Sequence, residues 1–191
     1  MIKRIIKAYF KLLIVNFISF FINVFSYLPI LNKKLALFGT TDGSFRENCK
    51  YLYLYLLKHS DYKVYWVGNK KIVKDLKSKS LPAVYIWSIK AIFLHMRTKF
   101  YFISHTLKTV CPYKPGKNAI VINQWHGTPI KKIGFDRKDK KDLIVNDQKR
   151  YIPLWGEPNY YIVGSENLTD LFRNAMGVSR EQIIACGNPK N

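Results

Sequence analysis

The sequence predicts an α/β protein with a Rossmann-like parallel sheet. Short apolar runs of strand length alternate along the chain with longer amphipathic runs of helical period. Several of the apolar runs end in glycine, asparagine or serine, which mark turns between strands and helices. This alternation is typical of a parallel sheet with helices on its faces, whose ligands bind at the carboxyl ends of the strands.

Seven apolar runs are the predicted strands, and four amphipathic runs between them are the predicted helices. The strands are expected at 35–39, 63–67, 83–86, 99–103, 119–123, 160–163 and 182–186. The helices are expected at 45–59, 70–79, 87–96 and 168–176. In the first of these helices Tyr51, Leu52, Tyr55 and Leu56 recur at helical spacing, so we expect them to form its buried stripe.

An apolar segment precedes the first strand. Residues 12–28 are interrupted by few polar side chains, Pro29 ends any helix, and four basic residues come first: Lys3, Arg4, Lys7 and Lys11. The run is at the short limit for crossing a bilayer, which takes about 20 residues. These signals predict that residues 1–31 form a membrane-associated helix, interfacial or shallowly inserted. A helix packed in the protein's own core also fits, whereas a signal peptide lacks its small-residue cleavage site.

Basic residues dominate the charge of the chain. Lys and Arg number 32 against 12 Asp and Glu, which gives a formal net charge of +20. A surplus of this size implies an anionic partner: nucleic acid, phospholipid or a phosphorylated substrate. The three cysteines, Cys49, Cys111 and Cys186, lack metal-ligand spacing and imply no disulfide framework, so we expect neither a metal site nor a disulfide.

Two loops after predicted strands carry glycine and serine directly before a helix. Gly43 and Ser44 lie in the first loop, and Ser165 lies in the second. Backbone amides at a helix start can bind an anion, so these residues are candidate substrate-binding groups. Both loops also fit an ordinary turn, with Ser165 as the N-cap of the helix that follows.

The segment 123–134, NQWHGTPIKKIG, gives the most specific functional signal. The apolar run 119–122 leads into a tight loop in which His126 is followed by Gly127 and Pro129. Histidine exchanges protons near neutral pH, with an unperturbed pKa of about 6.5. The two lysines that follow suit an anionic substrate. The loop therefore predicts proton transfer by His126 beside a phosphate.

Two other histidines are candidates with weaker signals. His95 lies between apolar neighbours in a predicted helix and is expected to be structural. His105 follows the predicted strand 99–103 at the carboxyl edge of the sheet, where a structural and a functional role are both open.

Four segments together resemble one enzyme family. QWHGTPIKKIG, 124–134, resembles the signature W-H-G-T-P-x-K-x-x-G of the CDP-glycerol:poly(glycerophosphate) glycerophosphotransferases, the teichoic acid primases and polymerases of bacterial cell walls. GSFRENCKYL, 43–52, is similar to an early segment of that family, and YYIVGS, 160–165, to the strand before its serine loop. GNPKN, 187–191, is similar to its G-x-P-R-N-D segment, with Lys190 for the usual arginine. The resemblance covers about residues 35–191.

The resemblance implies a GT-B architecture, in which two Rossmann-like domains face each other across a cleft. Residues 35–191 would be the acceptor domain, and the domain that holds CDP-glycerol would follow Asn191, so the chain by itself is expected to be incomplete and inactive. His126 would be the base that deprotonates a hydroxyl of a lipid-linked polyol-phosphate acceptor. That hydroxyl would attack the β-phosphorus of CDP-glycerol and release CMP.

The resemblance implies substrate-binding residues on both sides of His126, in the two glycine-serine loops and at the start of the first predicted helix. They are Gly43, Ser44, Asn48, Trp125, Gly127, Thr128, Lys131, Lys132 and Ser165. No cofactor and no metal is implied. Ribitol phosphate or another polyol phosphate suits the same motif, and a non-catalytic acceptor-binding or membrane-docking module is the alternative class of function. A nucleic-acid binder is disfavoured, because the charge is not accompanied by a recognised motif.

Overall fold

The computed structural model of the protein describes residues 2–25, 32–40, 42–136 and 158–191. Within these residues, seven strands form one sheet: β1 Asn32–Gly39, β2 Lys63–Gly68, β3 Ala83–Tyr85, β4 Thr98–Ile103, β5 Ile120–Asn123, β6 Tyr160–Val163 and β7 Ile183–Ala185. The same described residues contain five α-helices: α1 Ile2–Phe25, α2 Glu47–His59, α3 Lys70–Ser78, α4 Ile89–Arg97 and α5 Thr169–Met176. Each of the predicted strands is confirmed to within a few residues at its ends.

The paired strands are parallel and lie in the order β3-β2-β1-β4-β5-β6-β7. This is a doubly wound Rossmann order, so the predicted fold class is confirmed. The strand order reverses between β1 and β4. At such a point the loops leaving the two strands diverge, and a crevice opens at the carboxyl edge of the sheet.

The core lies on both faces of the sheet because successive strand residues point to opposite sides. Leu37, Val67 and Tyr101 join the core beneath α1 and α4. Phe38 and Trp66 join the core beneath α2 and α3. A third, smaller cluster packs α5 against β6 and β7.

The buried face of α2 differs from the predicted stripe. Asn48, Cys49 and Tyr53 are buried, while Tyr51 and Tyr55 are 45% and 61% exposed. The Tyr53 ring packs edge-on against aromatic rings of β1 and β2. Because α2 is apolar around most of its circumference, its sequence period does not fix which face packs. The prediction was therefore wrong for Tyr51 and Tyr55.

Side-chain caps fix where two helices begin. Asn69 accepts a hydrogen bond from the Ile72 amide at 3.0 Å, and Ser88 accepts one from the Ala91 amide at 3.1 Å. The Ser88 cap explains why α4 starts at Ile89, two residues later than predicted.

Helix α1 packs one stripe on the domain and exposes large apolar side chains elsewhere. Val15, Ile18 and Ile22 contact the core, and Ser19 Oγ accepts a hydrogen bond from the Lys114 amide at 2.9 Å. The exposed apolar side chains include Phe10, Leu13, Phe17, Phe20 and Val24. The helix thus combines features of two predicted alternatives, a core helix and a helix with an apolar outer surface.

None of the described helices is both long and apolar enough to cross a bilayer. The end of the predicted N-terminal segment, 26–31, lies outside the described residues.

Candidate functional site

The His126 loop leaves β5 through uncommon backbone conformations. The Gln124 amide still continues the sheet, donating to the last carbonyl of β4 at 2.8 Å. Trp125 then has a φ of +51° and Gly127 a φ of +155°, values that L side chains rarely adopt. The Trp125 ring is held by edge-on packing against Phe172 of α5, at 5.7 Å between centroids. This turn leaves the side chain of His126 exposed at the carboxyl edge of the sheet.

An open cavity of about 350 Å³ lies beside His126. Its walls include five of the predicted site residues: Trp125, His126, Gly127, Thr128 and Lys131. A neighbouring cavity of about 540 Å³ shares the Lys131 wall and is also bounded by Lys132. The structure therefore gathers the site residues predicted from the WHGTP segment around one surface.

The ammonium group of Lys190, in the GNPKN segment, also lies near this loop. A Cβ placed on Gly127 would lie 3.8 Å from Nζ of Lys190. Lys190 was not among the predicted site residues, because its approach depends on β6 and β7 pairing beyond β5. Together with Lys131 and Lys132 it supplies three ammonium groups, which favour an anionic ligand.

Asn48 supports the loop from the start of α2. Its side chain is fully buried, and Nδ2 donates to the Gln124 carbonyl at 2.9 Å. Longer contacts of 3.4 Å join Nδ2 to the Trp125 carbonyl and to Oδ1 of Asn188. These bonds tie the start of α2 to the loops after β5 and β7. Direct contact of Asn48 with substrate stays a prediction, with its buried Oδ1 as the remaining polar atom.

A second histidine lies beside His126. The His105 ring, on the loop after β4, is within 6° of parallel to the His126 ring, with centroids 6.3 Å apart. Trp125 stacks on both rings, 4.6 Å from His126 and 5.7 Å from His105. Asn123 joins the two loops: its Nδ2 donates to the His105 carbonyl at 3.0 Å, and its Oδ1 accepts from the Trp125 amide at 2.9 Å. From the sequence, Asn123 was predicted only to be the last residue of a strand, and its bonds to the two loops were not predicted.

Water exclusion by the surrounding loops lowers the pKa of His105, and positive charge on His126 lowers it further. The carboxylate of Glu47 acts in the opposite direction and is the smaller influence. The His105 side chain still has an exposed surface. His105 is therefore neutral at neutral pH, with one ring nitrogen as donor and one as acceptor, and a ligand in the crevice can reach it.

The loop after β1 is closed on itself. The Gly43 amide donates to the Thr40 carbonyl at 3.0 Å. The Ser44 amide and hydroxyl donate to the Asp42 carboxylate at 3.1 and 2.6 Å, and the hydroxyl bond is the main reason that the pKa of Asp42 lies below its ordinary value. Neither Gly43 nor Ser44 lines the cavity beside His126. An ordinary turn accounts for these contacts, and substrate binding by the two residues stays a prediction.

Ser165 is exposed at the carboxyl end of β6. It is the N-cap residue of a 3-10 turn, Glu166–Leu168, that leads into α5, but its side chain makes no capping hydrogen bond. The predicted N-cap position is therefore found for the 3-10 turn and not for α5, where Leu168 takes that position. The preceding Gly164 packs closely on Asn188, so Ser165 lies next to the contact between Asn48 and the C-terminal segment. Substrate binding by Ser165 stays a prediction.

His95 has the structural role that was predicted. It is buried in α4, and its Nδ1 lies 2.9 Å from the Tyr101 hydroxyl. Burial lowers the pKa of His95 to about 3. Among the described residues, no cluster of His, Cys, Asp or Glu is placed to hold a metal ion.

Comparison with known proteins gives one family. The family model for CDP-Glycerol:Poly(glycerophosphate) glycerophosphotransferase matches residues 20–191. The chain is 33% identical over 193 residues to the teichoic acid glycerol-phosphate transferase of Staphylococcus aureus (strain NCTC 8325 / PS 47), covering 97% of the chain and 48% of that relative. It is 27% identical to a teichoic acid poly(glycerol phosphate) polymerase of Bacillus subtilis (strain 168), covering 100% of the chain and 26% of that relative. It is also 27% identical to a teichoic acid poly(ribitol-phosphate) polymerase of Bacillus spizizenii (strain ATCC 23059 / NRRL B-14472 / W23), covering 88% and 26%.

Solved structures of the wall teichoic acid polymerase TagF share the fold. One has a TM-score of 0.64 at 20% identity and covers 88% of this chain and 43% of the polymerase chain. Another, of a variant soaked with CDPG, has a TM-score of 0.66 at 20% identity and covers 85% and 40%. The chain thus spans about half the length of the Staphylococcus aureus relative, and less of the polymerases.

Proposed function

The chain belongs to the CDP-glycerol:poly(glycerophosphate) glycerophosphotransferase family, and from that premise we propose that it acts in teichoic acid synthesis. The proposed activity is transfer of glycerol phosphate from CDP-glycerol to a membrane-linked polyol-phosphate acceptor. Residues 35–191 would form the acceptor-side domain of a GT-B architecture. The observation that carries the proposal is the exposed His126, which lies beside an open cavity near three lysines.

In the proposed reaction, neutral His126 accepts the proton of an acceptor hydroxyl. The hydroxyl oxygen forms a bond to the β-phosphorus of CDP-glycerol, the bond from that phosphorus to the bridging oxygen breaks, and CMP leaves. A general base must lie within hydrogen-bond reach of the proton, with a pKa near the working pH. Imidazole is the side-chain group whose ordinary pKa, about 6.5, meets the second condition.

The lysines have a separate role in the proposal. Ammonium groups of Lys131, Lys132 and Lys190 would offset negative charge on the acceptor and on the phosphoryl group in transfer. Gly127 supports this role, because a Cβ at this position would already lie 3.8 Å from Nζ of Lys190, so a larger side chain would fill the space beside the ammonium group.

We propose that α1 lies at the cytoplasmic face of the cell membrane as an interfacial helix. Phe17 and Phe20 are 65% and 64% exposed, whereas Ile22 is buried in the core, so the helix can contact lipid without leaving the domain. Burial of exposed apolar side chains in lipid supplies affinity. The basic residues at the start of the helix add attraction to anionic lipid of about 1 kcal/mol each.

CMP release tests the proposed activity. The full-length gene product is incubated with CDP-glycerol and a lipid-linked glycerol-phosphate primer, and a parallel reaction contains CDP-ribitol because one relative is named for ribitol phosphate. We expect CMP release that requires the primer and is faster with CDP-glycerol. Absence of CMP release with both donors would overturn the proposal. Primer binding without CMP release would favour the non-catalytic module.

Vesicle binding tests the position of α1. Phe17→Glu combined with Phe20→Glu should weaken binding to vesicles that contain phosphatidylglycerol, and high salt should weaken the wild-type protein as well. Tyr55→Glu, which changes an exposed aromatic residue on α2, is the matched control. If the double variant sediments with vesicles as the wild type does, the exposed phenylalanines are not a membrane contact.

A further inference from the structure

We propose that His105 is a second acceptor-binding histidine, and that His105 and His126 together select an acceptor with hydroxyl groups on neighbouring carbons. The proposal rests on the proposed function and deepens it by naming the chemical group that the site recognises. It arises from the placement of the two rings, which only the folded sheet brings together.

The two histidines are held as a pair by the sheet and by Asn123. Strands β4 and β5 are parallel neighbours, so the loops that leave them emerge side by side. The buried Asn123 side chain bonds to the main chain of both loops, and Trp125 stacks on both rings. This arrangement fixes the ring planes within 6° of each other and the centroids 6.3 Å apart.

The edges of the two near-parallel rings suit two hydroxyl groups better than one, because an imidazole nitrogen forms its hydrogen bond in the plane of the ring and not across its face. A ring nitrogen bonds a hydroxyl oxygen at about 2.7–3.2 Å. Hydroxyl oxygens on adjacent carbons lie closer together than the two ring centroids. Each oxygen of such a pair can therefore bond one imidazole at its ring edge. A lone hydroxyl bonded to His126 leaves the nitrogens of His105 without a ligand partner.

The two histidines differ in charge during the proposed reaction: His126 takes up a proton, and His105 stays neutral. The pKa of His105 is lowered mainly by water exclusion and then by positive charge on His126, against the smaller effect of Glu47. His105 therefore stays neutral when His126 takes up the acceptor proton, and the two rings avoid like-charge repulsion. A neutral imidazole donates and accepts one hydrogen bond each, which matches a hydroxyl group. In this arrangement the phosphate of the acceptor binds to Lys131, Lys132 and Lys190, and not to the histidines.

The His105 side chain is exposed, so a ligand can reach it. Within the described residues, the contacts of the ring are stacking contacts with Trp125 and His126. A role in packing alone would need the flat ring but not its nitrogens. Replacement by phenylalanine separates the two roles, because it retains a ring and removes both nitrogens.

Acceptor kinetics on the full-length gene product test the proposal. One acceptor ends in glycerol, and its analogue ends in 1,3-propanediol, which lacks the neighbouring hydroxyl. With the glycerol-ended acceptor, His105→Phe should raise the acceptor KM about three- to tenfold, the scale of one lost hydrogen bond, with a smaller change in kcat. With the propanediol-ended acceptor, His105→Phe and wild type should have equal KM values. His59→Gln, at the far end of α2, is the control.

Two kinetic results would overturn the proposal: an equal loss with both acceptors, which indicates a packing role, or no loss with either. A second measurement separates this proposal from the proposed function. In the full-length protein labelled with ¹³C-histidine, the His105 ring signal should shift with a glycerol-phosphate dimer and not with 1,3-propanediol phosphate. If the protein transfers nothing from CDP-glycerol, the proposed function fails, yet that selective shift still supports the His105 site. A signal that responds to neither probe, or equally to both, overturns it.

Discussion

His95 in α4 and His126 after β5 lie in opposite environments. His95 is 1% exposed, bonds the Tyr101 hydroxyl at 2.9 Å, and packs edge-on against Tyr113. His126 is exposed in a turn between two residues of positive φ, where its ring stacks with the rings of Trp125 and His105.

The difference shows that the local environment decides what a histidine can do. Burial lowers the pKa of His95 to about 3, so it exchanges no protons near neutral pH and contributes packing and a hydrogen bond. His126 contributes little to the core and is open to a ligand. Loss of His95 should therefore reduce stability, and loss of His126 should reduce turnover.

The largest expected effect is on turnover in His126→Ala. We expect turnover of the full-length gene product to fall by about 10²-fold or more, the scale of a lost general base. The melting temperature and the donor affinity should stay close to wild type, because an exposed loop side chain contributes little to the core. Turnover, melting and CDP-glycerol binding are measured on the same preparation, with His59→Gln as the control. A reduced melting temperature with normal turnover per folded molecule would show that His126, like His95, has a structural role.

The complementary change is His95→Ala. Truncation of a fully buried side chain in a packed core should lower the free energy of unfolding by about 2–4 kcal/mol. Turnover per folded molecule should stay at the wild-type level. Urea unfolding and active-site-normalised kinetics check the two expectations. A turnover loss in fully folded protein would mean that His95 influences the site.

The pH dependence of stability sharpens the same contrast. Because the folded-state pKa of His95 is about 3 and the unfolded value is about 6.5, the unfolded chain binds a proton there first. The contribution of this group is full above about pH 6.5 and is lost as the pH falls toward 3, with a slope approaching 1.4 kcal/mol per pH unit. Comparison of urea unfolding curves of wild type and His95→Phe between pH 7 and pH 4 isolates this slope. Parallel pH profiles would show that His95 takes up a proton in the folded protein as readily as in the unfolded chain.

The smallest effect is expected from Ser44→Ala in the loop after β1. The Ser44 hydroxyl bonds Asp42 rather than lining the His126 cavity, so turnover should stay within about twofold and stability should fall by about 1 kcal/mol or less. Acceptor titration and melting check this. A clear rise in the acceptor KM would indicate that Ser44 does bind the acceptor.

The sequence was sufficient to predict the sheet and the position of the His126 loop at its carboxyl edge. Strands such as β2 and β5 are short apolar runs bounded by polar or glycine residues, and their alternation with helices fixed the parallel class. The His126 loop was found because histidine, glycine and proline follow a strand directly. Predictions of this kind hold in the folded structure because they depend only on residues that are neighbours along the chain.

Features that depend on contacts distant in sequence were missed. The pairing of His105 with His126 requires β4 and β5 to be neighbours, and the approach of Lys190 requires β7 to complete the edge. The packed face of α2 was misassigned because apolar residues surround most of that helix, so only the fit of Tyr53 selects it. The loop after β1 looked open to an anion, but Asp42 supplies the negative charge from within.

Rescue of His126→Ala by free imidazole tests most directly whether His126 is the base. The wild-type side chain is exposed beside a cavity of about 350 Å³, so imidazole from solvent can occupy the space that the variant leaves. We predict that added imidazole restores turnover in proportion to the concentration of its neutral form, at unchanged donor affinity. Wild-type turnover by the folded variant without imidazole, or a rescue indifferent to the protonation of imidazole, would contradict the assignment.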